Sequence, residues 1–84
     1  MGAKNSRGEF DLARVNPVAN MRRFYAASVG HDLFGAAILT RCWGRIGRGG
    51  QMRHESFRDT ALAIAGLELL ESMKTRRGYK PRRA

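Results

Sequence analysis

Four glycines fall within seven positions near the middle of this 84-residue chain: Gly44, Gly47, Gly49 and Gly50. Glycine at that density marks backbone at positive φ, or backbone that something must approach closely, so a tight turn is required here. Ala36-Ala37-Ile38-Leu39-Thr40-Arg41 enters the turn with β-branched and apolar residues, and Gln51 to Phe57 leaves it. Two such runs around one turn predict an antiparallel hairpin.

Alternation decides what the hairpin displays. On a period of two, Arg41, Trp43 and Arg45 share one face, while Ile38, Thr40, Cys42 and Ile46 share the other. The second set reads as the core face. The first holds the single tryptophan between two guanidinium groups, which suits stacking on a sugar or base while the charges hold phosphates. The competing reading makes Trp43 a core residue between solvated arginines; the rarity of buried, unpaired arginine weighs against it. A loop of three or five residues puts Arg53 and Glu55 on the Trp43 face and turns Met52, His54 and Ser56 inward, whereas a four-residue loop reverses this. The odd loop is the expectation, with Glu55 pairing Arg41.

Upstream, Asp11 to Val15 reads as a short edge strand closed by Asn16-Pro17. Arg22 to Val29 alternates with Tyr25, Ala27 and Val29 inward, which sends Phe24 outward to the Trp43 side. The Gly30–Gly35 loop joins that strand to the next, with Leu33 and Phe34 folded back. From Asp59 to Arg76 the apolar period lengthens to that of a helix, centred on Leu62, Gly66, Leu69 and Met73. Ser56 or Asp59 caps its start, and Gly78 ends it. The expected class is therefore α+β: an antiparallel twisted sheet of three to four strands with one C-terminal helix on one face. Residues 1–10 are expected to be a disordered N-terminus, 11–79 the domain and 80–84 a basic tail.

The formal net charge of +9 favours a polyanionic partner. Residues 21–58 carry seven basic side chains against two acidic ones, and all seven are arginine, the residue suited to forked contacts with phosphate. One cysteine excludes an internal disulfide and fits a reducing compartment. No apolar run approaches the roughly 20 residues that span a bilayer, and the polar N-terminus lacks a secretory h-region. A cytoplasmic protein is expected, with no membrane partner.

Catalytic chemistry finds little support. Cys42 and His54 have no third group to orient them, and two histidines with one cysteine on separate elements make no zinc site. The glycines match neither a Walker A sequence nor a dinucleotide fingerprint. No catalytic residue, metal or cofactor is expected.

Trp43-Gly44-Arg45-Ile46-Gly47, followed by Gly50-Gln51, resembles the signature of the WGR domain. Arg23-Phe24-Tyr25, the Asp32-Leu33-Phe34-Gly35 turn and Arg77-Gly78-Tyr79 resemble family positions too, so the likeness covers roughly residues 12–79. It implies a twisted antiparallel sheet with one packed helix. It also implies a nucleic-acid-binding module of the kind best understood in DNA-damage-dependent poly(ADP-ribose) polymerases. In those enzymes the motif's Trp stacks on a nucleotide at a DNA end, and its Arg couples the domain to its neighbours. That coupling does not carry over to Arg45 on the resemblance alone.

The expected function is non-catalytic nucleic-acid binding, of DNA more than RNA and including DNA ends, through Trp43, Arg45, Arg41, Arg48, Arg53, Gly44, Gly47 and Phe24. The alternative is a module docking on an acidic protein or a separately encoded nucleic-acid-processing enzyme. A basic tail resting on a membrane surface is the third reading.

Overall fold

The computed structural model describes residues 8–82. Strands β1 (Glu9–Asn16), β2 (Met21–His31), β3 (Ala37–Arg45) and β4 (Gln51–Phe57) follow in order, then helix α1 (Thr60–Arg76) and a short β5 (Lys80–Pro81). They form one antiparallel sheet in the order β4-β3-β2-β1-β5, with α1 on one face. The class is α+β as expected, with five strands instead of three to four.

The additional strand lies in the expected basic tail. Gly78, at φ 98, turns the chain after the helix, and Tyr79 buries its ring in the core. Lys80 and Pro81 then pair with Ala13 and Leu12, and the Arg82 N–H donates to the Asp11 carbonyl at 2.8 Å. At the other end β1 starts at Glu9, and Phe10 is a core residue, so order begins before the expected boundary at 11. The rest of the expected N-terminal segment, residues 1–7, lies outside the described residues. Ending the chain at Tyr79 should leave the fold in place but lower its stability by about 1–2 kcal/mol, the worth of one or two hydrogen bonds. A urea midpoint shift at constant slope is the measurement; an unmoved midpoint would mean β5 contributes nothing.

The β3–β4 register pairs Trp43 with Gln51, Cys42 with Met52 and Arg41 with Arg53, which is the odd parity expected. Which face is inward is the reverse of the expectation. Ala37 and Leu39, on the Trp43 face, are buried beneath α1 with Tyr25, Ala27 and Leu67. Ile38, Thr40 and Cys42 lie on the face that no described element covers, and Met52 is 62% exposed. His54 is exposed and shares a 2.9 Å hydrogen bond with Thr40, so it is not the partly buried histidine expected.

The helix is also rotated from its expected orientation. Ala63 and Leu67 are buried, with Ile64, Leu70 and Lys74 half-buried, while Leu62, Leu69 and Met73 face outward. The first half of α1 is apolar nearly all round, so two adjacent stripes compete. The inner one carries small residues that fit against a sheet already filled by large rings. A Cβ on Gly66 would lie 3.3 Å from the Phe57 ring. Asp59 is the N-cap, accepting from the Leu62 N–H at 2.9 Å. In the β2–β3 turn, the Asp32 carboxylate accepts from the N–H groups of Phe34 and Ala36. Polar bonds therefore close that turn, and Leu33 and Phe34 point into solvent instead of folding back.

Candidate nucleic-acid interface

Helix α1 covers only part of its sheet face. It crosses from Thr60, whose hydroxyl meets His31, to Lys74, which lies over Tyr25. Beyond that end the sheet is open, and a cleft of about 640 Å³ forms there. Its floor is Arg23 and Tyr25 of β2, Arg41, Trp43 and Arg45 of β3, and Arg53 of β4; Lys74 and Tyr79 form the wall. Five cations line it, and no acidic side chain does.

The aromatic part is a stack running across the strands. Phe10 and Tyr25 lie 6.2 Å apart at 14°, and Tyr25 and Trp43 lie 5.7 Å apart at 16°. Register explains this, because Tyr25 is the cross-strand partner of Trp43 and β1 brings Phe10 to the same face. Trp43 is half-buried at the end of the stack, packed on the core by one face and bordering the cleft. The core reading of this residue is thus met on one side of the ring, and the other side borders the cleft.

Two of the arginines are held in place. Arg45 donates through both terminal nitrogens to Asn20, to its carbonyl at 3.2 Å and its side-chain oxygen at 3.1 Å. Asn20 sits at φ 55 in the β1–β2 turn, a conformation asparagine tolerates better than most residues. Arg41 lies 5.9 Å from the Trp43 ring centre and donates to the Tyr25 hydroxyl at 3.4 Å. Glu55 Oε1 is 3.4 Å from Arg41 Nε, so the expected pair forms as a charge contact. It lacks hydrogen-bond geometry, which leaves that buried Nε without a hydrogen-bond partner.

Of the residues expected at the site, Trp43, Arg41, Arg45, Arg53, Gly44 and Phe24 all border the cleft, which lies on the helix side of the sheet and not on an open face. Gly44 borders it but has a packing role: a Cβ there would come within 2.9 Å of Gly50 Cα and 3.4 Å of the Phe24 ring. Phe24 pairs with Gly44, so its side chain belongs to the opposite face from Trp43, correcting the expected placement. Its ring supports the glycine turn from behind, with the Arg82 guanidinium 5.4 Å from its centre. Gly47, at φ 88, and Arg48 shape the β3–β4 turn outside the cleft lining.

Arg23, Tyr25, Lys74 and Tyr79 were not singled out as site residues. Arg23 was legible by alternation, two residues from Tyr25 and opposite Arg45. Lys74 falls seven residues after Leu67 on the inner stripe, a signal hidden by the wrong choice of stripe.

Lys74 lies 4.4 Å from the Tyr25 ring centre and 5.6 Å from that of Tyr79. Burial, and then the charges of Arg77 and Arg41, hold its pKa below the usual 10.5. The folded state therefore binds the proton less well than the unfolded chain, and stability should rise as pH climbs through the window beneath 10.5. Were a phosphate to enter the cleft, it would favour the ammonium, so binding would take up a proton and affinity would fall through the same window. Titrations across it check this: Lys74→Arg, which stays charged, should give the flatter profile.

Among the described residues no cluster of three or more metal-ligating side chains occurs, and no helix is long and apolar enough to cross a membrane. Comparison with protein families matches residues 9–84 to the WGR domain. Among curated proteins, an uncharacterized protein of Sinorhizobium fredii is 44% identical over 71 residues, 84% of this chain. The aligned stretch is 35% of that relative's length, so the chain spans about a third of it. No solved structure matches.

Proposed function

The chain belongs to the WGR domain family, and on that premise we propose that it is a non-catalytic nucleic-acid-binding module whose ligand enters the cleft beside Trp43. The observation that carries this reading is the lining: five cations around the exposed side of a stacked indole, with no carboxylate among the lining residues. Phosphates answer the cations and a base or sugar answers the ring. The cleft has no recognition helix and no set of carboxamide side chains at base-edge spacing, so contacts are to backbone and ring faces, with little sequence readout. The helix end and Tyr79 wall one side, which suits a strand terminus better than a continuous duplex. That wall favours strand ends, and the preference for DNA over RNA rests on the family resemblance.

Trp43 is the single tryptophan, so its fluorescence reports this site alone. Short single strands, blunt duplexes and duplexes with a 5′ phosphate should each quench it, the last most strongly. Poly-glutamate is the control for an acidic protein partner. Equal binding of poly-glutamate and oligonucleotide, without quenching by either, would replace this reading with docking on an acidic partner.

A further inference from the structure

The two edges of the sheet are finished differently. The outer edge of β1 is covered by β5, and Pro81 lacks the N–H that a further strand would need. The outer edge of β4 has no partner among the described residues. That strand, Gln51–Phe57, contains no proline, glycine or lysine to discourage pairing.

The outward stripe of α1 lies beside this edge. Gly66 marks the flank of the helix that overhangs β4, since its Cβ position faces the Phe57 ring. At about 100° per residue, Leu62, Leu69 and Met73 lie within roughly 60° of Gly66 around the axis. They are 43%, 61% and 39% exposed, a continuous apolar strip on the side of the open strand edge.

We infer that β4 and the Leu62/Leu69/Met73 stripe together form the interface with a second copy of this chain. Antiparallel pairing of two β4 strands about a two-fold axis at His54 extends the sheet across both copies. It also brings the two α1 stripes together on the same side. The charges on β4 match this operation. Centred on His54, it sets Arg53 opposite Glu55 of the second copy, and Glu55 opposite the second copy's Arg53, so the edge is self-complementary. The clefts then flank the shared β4 pair, each with its Arg53 beside the axis, and open on the helix side of the sheet, so one dimer holds two ligands. The interface itself stands whether or not the clefts bind nucleic acid.

Each copy carries a formal charge of +9, so repulsion opposes pairing and salt should relieve it. The dimer should tighten with salt, opposite in sign to binding of a polyanion. Sedimentation equilibrium of the full chain at about 100 µM should give close to twice the 9.4 kDa of one chain, with more dimer at higher salt. Leu69→Glu should raise the dissociation constant at least about tenfold, because it places a carboxylate in the apolar strip. Met73→Glu should act alike, and both should keep the wild-type circular dichroism, since neither side chain is in the core. Amide exchange across β4 should be slower in the dimer than in the Leu69→Glu monomer. A wild-type monomer at every salt concentration overturns the inference. So does a dimer indifferent to both substitutions, or equal β4 exchange in wild type and variant.

Discussion

Raising salt from about 50 to about 200 mM should weaken nucleic-acid binding by roughly a thousandfold. Arg23, Arg41, Arg45, Arg53 and Lys74 line the cleft, and Arg48 stands at the adjoining turn. If these six cations each neutralise a phosphate, six condensed counterions are released on binding, and mass action returns them as salt rises. Arg45 and Arg41 are already oriented by Asn20, Tyr25 and Glu55, so they meet the ligand with less side-chain entropy left to lose. Arg45→Ala should reduce the salt slope by about one unit on duplex DNA and release the β1–β2 turn from its anchor. The measurement is a set of Trp43 titrations at several salt concentrations. A flat response would remove phosphate contact from the account of this cleft.

The residues of the cleft were more legible in the sequence than the side of the sheet they occupy. Spacing alone puts Arg41, Trp43 and Arg45 on one face, because alternation is a local property; Arg53 joins them only through the odd register, which spacing leaves open and which does not bury Met52. Which face the helix covers is not local. Ile38, Thr40 and Cys42 are apolar enough to serve as a core face, and an arginine at both flanks made the Trp43 face look like the solvated one. The resolution is positional: α1 buries the Ala37–Leu39 end of that face and stops short of the Arg41–Arg45 end. One face is thus core at one end and site at the other. The rotation of α1 was hidden by two adjacent apolar stripes. The strand at Lys80–Pro81 was hidden because a lysine and a proline carry no period and are held by β1 and the burial of Tyr79. Helix limits, by contrast, rest on chemistry written at single positions, and Asp59 and Gly78 fall where capping and positive φ need them.

Trp43→Ala should lower both folding stability and affinity, and the two losses can be separated. An indole standing free between solvated arginines, as alternation alone suggests, would cost the fold little on removal. In the structure it is half-buried and closes a three-ring stack through Tyr25 to Phe10. Truncating a fully buried Trp costs about 3–5 kcal/mol, so about 2–3 kcal/mol is expected for a ring with one face packed. That is a large share of the roughly 4–12 kcal/mol typical of a domain this size. The variant should therefore fold with a reduced denaturation midpoint. Its affinity for a short oligonucleotide should fall by a further 1–3 kcal/mol, about five- to 150-fold, from loss of the stacking platform. Trp43→Phe separates the two effects: a phenyl ring against Tyr25 should restore most of the stability, while its smaller face supports less of a base. Binding to both variants is measured by anisotropy of a labelled oligonucleotide, since the intrinsic reporter is gone. If folded Trp43→Ala binds as tightly as the unaltered chain, the indole serves only the core, and the ligand is held by the arginines alone.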